Sequence, residues 1–172
     1  MIRKATEKDI DQIEKIYDEI LDYEEKNISY TNWKKGLYPT RKVAEQALKE
    51  ETLFVDDENG TIRGCVILNH DQPSEYRKLN WSTDTTDDKV LVIHTLCIKP
   101  IFSHLGLGKK FVDFAEKYGK ENGNEVIRLD TYEGNIPAVS LYTKLKFNYV
   151  GSTEFYFQNL IHEVLKCFDK IL

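Results

Sequence analysis

The stretch from Val90 to Tyr118 constrains this chain more than any other. An apolar run, Val90 to Ile98, ends at Lys99-Pro100, and a short loop spaced by Gly106 and Gly108 follows. Leu107, Phe111, Phe114, Ala115 and Tyr118 then recur at helical spacing. The pattern predicts a strand, a tight loop and a helix whose first backbone N–H groups lack an intrahelical acceptor. Glycine lets the loop backbone come close to a ligand, and the positive end of the helix dipole favours an anion. Ser103 to Lys110 therefore reads as a pyrophosphate cradle.

Spacing excludes two common cradles. A dinucleotide-binding G-x-G-x-x-G needs glycine where Phe111 stands. A Walker loop needs glycine at Ser103 and a hydroxyl residue at Lys110. The remaining loop, Ser103 to Gly108, resembles the Q/R-x-x-G-x-G/A coenzyme A loop of the GNAT superfamily of acyl-CoA-dependent N-acetyltransferases. The resemblance extends to Leu96-Cys97-Ile98-Lys99-Pro100, similar to the L-x-V-x-P end of the family's fourth strand, and to Val126–Tyr132, similar to its fifth. Asn135 to Phe147 resembles its N-x-x-A-x-x-L-Y-x-x-L/G-F segment. Overall the likeness covers roughly residues 2–155. Ser103 replaces the family's Gln or Arg, and Lys146 its glycine, so binding at the loop would rest on main-chain N–H groups.

Along the rest of the chain, Thr6-Glu7-Lys8-Asp9 is a capping box opening a helix with Ile10, Ile13, Ile16, Tyr17, Ile20 and Leu21 on one face. The N-terminus is expected to run straight into that helix, with no signal peptide. Thr40 caps a second helix to about Glu50. Thr52–Asp56 and Thr61–Asn69 form a hairpin about Asn59-Gly60. Asp71 to Lys89 is a loop with a short ordered piece near Tyr76–Trp81. A helix over Asn135 to about Leu145 and a strand over Asn148–Ser152 follow, while His162–Leu172 fits strand or helix. This order implies an α/β (mixed α+β) protein with a single mixed sheet flanked by helices on both faces. The resemblance makes it the GNAT acyl-CoA N-acyltransferase fold, one N-acetyltransferase domain over residues 1–172.

The net charge of −5, with no basic stripe, argues against nucleic acid as a partner. No apolar stretch is long enough to span a membrane. Cys65, Cys97 and Cys167 are scattered in apolar segments, as expected of buried reduced thiols in a cytoplasmic protein, and propose no metal site.

Acetyl transfer from a thioester to an amine needs a neutral nucleophile, a polarised carbonyl and a protonated leaving thiolate. An alkyl amine with pKa near about 10.4 is mostly protonated at neutral pH, so a base must act. His94, the titratable side chain in the Leu91–Ile98 run, is the candidate base; a hydrogen-bonded core histidine is the plain alternative. His70 is a rival. Tyr142 is the candidate acid, as a phenol near pKa 10 keeps its proton; the alternative is core packing with Ala138, Leu141 and Leu145. Asn135, ahead of Pro137, is a good helix cap.

The resemblance implies that the Leu96 main-chain N–H faces the thioester carbonyl and that Cys97 and Ile98 pair with pantetheine. It further implies that Ser103, His104, Leu105, Gly106, Leu107, Gly108 and Lys109 hold the pyrophosphate, with Asn135 and Tyr142 also touching the coenzyme. Tyr30, Trp33, Tyr38 and Trp81 are expected to line the acceptor pocket. The function expected is transfer of acetyl from acetyl-CoA to a small-molecule primary amine, without metal, in a chain that the family allows as a homodimer. Acetylation of a protein or peptide, or an idle acyl-CoA sensor, are the alternatives.

Overall fold

The computed structural model describes residues 1–157 and 159–172. In chain order the elements are β1 (Ile2–Lys4), α1 (Ile10–Lys26), α2 (Arg41–Lys49), β2 (Leu53–Glu58), β3 (Thr61–Asn69), β4 (Val90–Ile98), α3 (Leu107–Glu121), β5 (Val126–Tyr132), α4 (Ile136–Lys144), β6 (Asn148–Phe157) and β7 (Ile161–Ile171). The strands form one mixed sheet in the order β1-β2-β3-β4-β5-β7-β6. β4 and β5 pair in parallel, over Val90–Ile93 against Val126–Leu129. By contacts the chain divides into two units, Met1–Ser29, Trp33–Leu68 and His94–Phe114 in one, Tyr30–Asn32, Asn69–Ile93 and Ala115–Leu172 in the other.

In the first unit, Ile10, Ile13, Ile16 and Tyr17 of α1 are buried with Ala44 and Ala47 of α2, Leu53 and Val55 of β2, and Ile62, Cys65 and Ile67 of β3. Alanine on the inner face of α2 lets that short helix sit close. The Thr6–Asp9 box forms, with Thr6 N–H donating to Asp9 Oδ2 at 2.7 Å, but it opens a 3₁₀ turn over Glu7–Asp9 ahead of α1. Thr40 occupies the N-cap position of α2 without a side-chain bond. The N-terminus does not run straight into helix. Ile2–Lys4 pair antiparallel with Asp56–Phe54, and Arg3 spends its charge on Asp9 and Asp57. At the β2–β3 turn, Asn59 and Gly60 both have positive φ, 53° and 85°, the geometry that a two-residue hairpin needs.

In the second unit Val90, Val92, Val126, Leu165, Cys167 and Phe155 form a core under Tyr76. Segment 71–89 contains 3₁₀ turns at Ser74–Lys78 and Asp87–Lys89. The C-terminal tail is strand, β7 pairing with β5 and with β6. β6 runs to Phe157, five residues past the expected Ser152, because its hairpin with β7 continues the ladder.

Asp56 of β2 is fully buried, yet charged partners surround it. Its Oδ1 lies 2.6 Å from Lys110 Nζ and 3.3 Å from the N-terminal ammonium, and its Oδ2 lies 2.6 Å from Arg63 Nη2. Burial alone would raise its pKa, but bonds from Lys110 and Arg63 outweigh burial and hold it below the usual carboxylate value. A carboxyl with a lowered folded-state pKa contributes stability above its unfolded value of about 3.9, and that stability is lost as pH falls through the folded value. Asp56→Asn should cost about 1.5–3 kcal/mol in urea unfolding at neutral pH, since it removes the charged acceptor of Arg63 and Lys110. The deficit should shrink on acidification below about pH 4. A variant equal to wild type at neutral pH would contradict this arrangement.

Candidate functional site

Within the first unit, the site begins at the second half of β4. Thr95 has φ +48°, a true outlier for a β-branched residue, and is 8% exposed. Its Oγ1 hydrogen-bonds the Tyr38 hydroxyl. Strain of this kind costs about 1–3 kcal/mol and persists where surrounding structure enforces it. Here it sits between His94 and Leu96, both half-buried. Thr95 carries no polar or spacing signal in the sequence that marks it. The hydroxyl of Tyr38, a residue expected at the acceptor, holds this strained residue, and its ring meets Trp33 edge-on at 5.7 Å. A Cβ on Gly64 would lie 2.6 Å from the Cys97 carbonyl oxygen, so glycine is what lets β3 press against this end of β4. Cys97 is wholly buried, and burial pushes its thiol pKa up, as a packing residue requires.

The chain leaves β4 through a 3₁₀ turn at Pro100–Phe102, closed by Phe102 N–H to Lys99 O at 2.8 Å and Ser103 N–H to Pro100 O at 3.0 Å. His104 and Gly106 follow with φ of +64° and +75°. Ser103, His104, Leu105 and Gly106 are exposed, whereas Leu107 is buried and anchors the helix start. Lys110 N–H to Gly106 O, 3.0 Å, closes the first turn of α3, so the N–H groups before it have no acceptor within the helix. A Cβ on Gly106 would meet nothing within 4 Å, leaving open space over the loop. Lys110 turns inward to Asp56, and Lys109 pairs with Asp113 along the helix.

In the second unit, Asn135 caps α4, its Oδ1 accepting from Ala138 N–H at 3.2 Å. Tyr142 is 5% exposed and packs on Phe147 and Phe168 at ring distances of 5.6 and 6.0 Å. Its hydroxyl has no hydrogen-bond partner among the described residues and is not among the sealed, unsatisfied atoms. Burial first, and the charge of Asp130 second, raise its pKa above the usual phenol value. The group holds its proton at any physiological pH.

Asp130 on β5 was not singled out in the sequence, although a carboxylate in the run Val126-Ile127-Arg128-Leu129-Asp130 was a signal. Its Oδ2 accepts from the Tyr76 hydroxyl at 2.7 Å. Burial raises its pKa to about 6 against the opposing pull of that bond, a value suited to proton transfer near neutrality. His70 is exposed, with Nδ1 2.7 Å from Val90 O. Trp81 is taken up by Tyr76 and Arg128: Nε1–H donates to Tyr76 O at 2.9 Å and the Arg128 guanidinium lies 4.5 Å over its ring. Tyr30 is half-buried. Among the described residues there is no cluster of three or more metal-ligating side chains, and no helix is long and apolar enough to cross a membrane.

Residues 12–147 match the model of the acetyltransferase (GNAT) family. An uncharacterized N-acetyltransferase of Methanocaldococcus jannaschii is 25% identical over 152 residues, 85% of this chain, which spans about three fifths of that relative, 59% of its length. A GNAT-family acetyltransferase structure from Streptococcus agalactiae aligns with TM-score 0.83 at 22% identity, covering 100% of this chain and 95% of the other. One from Listeria monocytogenes aligns at 0.77 and 24%, covering 100% and 94%. The yncA protein of Salmonella typhimurium, solved with its cofactor acetyl-CoA, aligns at 0.71 and 14%, covering 100% and 93%. At these identities the solved structures establish likeness of fold.

The Tyr76–Asp130 pair gives a direct test of the electrostatics within the second unit. Tyr76→Phe removes the bond that favours the ionised carboxyl, so the Asp130 pKa should climb above about 6. Carboxyl carbon NMR titration reads it. A raised folded-state pKa means stability present below about pH 4 and lost as pH rises through the folded value, and the variant should lose more over that window. An unchanged or lower pKa would contradict the assigned bond.

Proposed function

Because the chain belongs to the GNAT acetyltransferase family, we propose that it transfers the acetyl group of acetyl-CoA directly to a primary amine of a small molecule. The observation that carries this reading is the exposed Ser103–Gly106 loop, left-handed at His104 and Gly106, running into helix N–H groups without helical acceptors. Such a turn suits a pyrophosphate through main-chain donors, which is what Ser103 in place of a longer polar side chain demands. Leu105, Leu107, Gly108 and Lys109 complete the loop and the first helical turn.

The residues divide the chemistry as follows. His94 takes the proton that leaves the ammonium form of the acceptor, freeing the nitrogen lone pair to attack the acyl carbon. The Leu96 main-chain N–H steadies charge on the acyl oxygen, and Cys97 and Ile98 offer backbone groups to the pantetheine amides. As the C–S bond breaks, the Tyr142 hydroxyl protonates the departing thiolate. Asn135 serves the cap and the coenzyme together. Tyr30, Trp33, Tyr38 and Trp81 are the aromatic residues assigned to the acceptor, with Tyr38 also bracing Thr95 and Trp81 also carrying Arg128. Asp130, with its pKa near 6, is the rival base.

Acetyl-CoA should raise the thermal midpoint of the protein, and NADH and ATP should do so far less. Gly106→Asp keeps a residue type tolerated at positive φ but sets a carboxylate in the phosphate's space, and should abolish the shift without unfolding the chain. A full shift in that variant would mean that the coenzyme binds elsewhere.

Tyr142→Phe removes the hydroxyl alone and should lower kcat by about ten- to a thousandfold with little change in coenzyme binding. His94→Gln should cost most near neutrality and less at high pH, where the amine is already neutral. Wild-type turnover in Tyr142→Phe would demote that residue to packing. A wild-type pH profile in His94→Gln, with one altered in Asp130→Asn, would move the base to β5.

A further inference from the structure

Arg128 on β5 is 7% exposed and makes no ion pair among the described residues. Of the five guanidinium N–H groups, one on Nη1 donates to Gln72 Oε1 at 2.7 Å and one on Nη2 to Thr83 O at 3.0 Å. Nε has no partner, and neither has the buried Oγ1 of Thr83 beside it. The nearest carboxylate in charge terms, Asp169, is engaged by Ser82 N–H and Oγ at 2.7 and 2.8 Å. Burial disfavours the Arg128 charge and the fields of Asp169 and Asp87 offset that only in part, so a counter-anion in direct contact would relieve a costly buried cation.

Arg128 lines a cavity of about 550 Å³ built from segment 70–87 and β5. Trp81, stacked under the guanidinium at 4.5 Å, fixes its plane. Gln72 bridges from Arg128 to Asp87, its Nε2 donating to Asp87 Oδ1 at 2.8 Å. Asp84, also in the lining, is exposed and has no partner among the described residues. The cavity thus carries the oriented guanidinium of Arg128 in its lining, together with the carboxylates of Asp71, Asp84 and Asp87 and the guanidinium of Arg77.

We propose that this cavity binds a zwitterionic amino carboxylate, its carboxylate on Arg128 and its ammonium toward Asp84 and Asp87. The planar fork suits carboxylate and phosphate alike. In the lining the three carboxylates of Asp71, Asp84 and Asp87 outnumber Arg77 and select between them, because they repel a multiply charged phosphate and attract an ammonium. The residues that line this cavity do not include Ser103–Lys110, and the proposal does not rest on the acetyl-transfer reading.

Calorimetric titration of the full chain, without acetyl-CoA, tests it with glycine, β-alanine and γ-aminobutyrate beside acetate, ethylamine and inorganic phosphate. At least one zwitterion should bind about tenfold or more tighter than acetate and ethylamine. Arg128→Gln should weaken that zwitterion at least about tenfold. If Arg128→Gln fails to fold, Arg128→Lys, which keeps charge but loses the fork, replaces it with the same expectation. Asp84→Asn, at an exposed position, should weaken the zwitterion and leave acetate unchanged or tighter. Absence of zwitterion binding, tighter binding of phosphate than of any zwitterion, or binding indifferent to Arg128 and Asp84 would each overturn the proposal.

Discussion

A carboxylate with no exposure governs the first unit. Asp56 can remain charged in the core only because Arg63 from β3, Lys110 from α3 and the chain's own N-terminus converge on it. Removing Arg63 or Lys110 leaves the buried carboxylate under-compensated in a poor solvent for charge. That mutual dependence ties β2, β3 and the first turn of α3 into one unit. It also explains why Lys110 turns away from the loop that precedes it, leaving main-chain N–H groups rather than a lysine as the loop's electrostatic feature.

The second half of β4 is shaped by a different constraint. Gly64 brings β3 close to the Cys97 carbonyl, and Thr95 is held at positive φ by the Tyr38 hydroxyl. A regular strand would have neither feature. Strain beside His94 and Leu96 fits a segment selected for the direction of its polar groups at the expense of ladder regularity. In the second unit, burial pushes two acids the same way to different ends: it keeps Tyr142 protonated and lifts Asp130 to about 6, within reach of neutrality. Two groups with separated pKa values are the raw material of acid and base roles.

Much of the fold was legible in the sequence because local rules agreed with each other. Asn59-Gly60 forced the hairpin, the apolar spacing after Gly106 gave α3, and the order of elements gave a mixed sheet. What escaped the reading depended on partners far along the chain. β1 is three residues of charged sequence that become strand only through Asp9, Asp57 and the edge of β2. The extension of β6 is set by β7, and β7 itself has a pattern that fits either strand or helix. At the site, glycine spacing marked the loop directly. Thr95, Asp130 and Arg128 carry their meaning in a dihedral angle, a buried hydrogen bond and an unfilled donor, none of which is a sequence pattern. The Trp81 ring, an acceptor candidate by its place in the chain, is also the platform for Arg128, which no sequence pattern marks.

The central claim is that the chain moves an acetyl group from coenzyme A to an amine nitrogen. Incubating the full chain with acetyl-CoA carrying a labelled acetyl group and a panel of small primary amines, with free thiol and labelled N-acetyl product quantified by mass spectrometry, addresses it directly. The account predicts amine-dependent release of coenzyme A in equal amount to a labelled N-acetyl product for at least one amine. Release of coenzyme A that ignores the amine, or no labelled amide across the panel while acetyl-CoA binds, would contradict it.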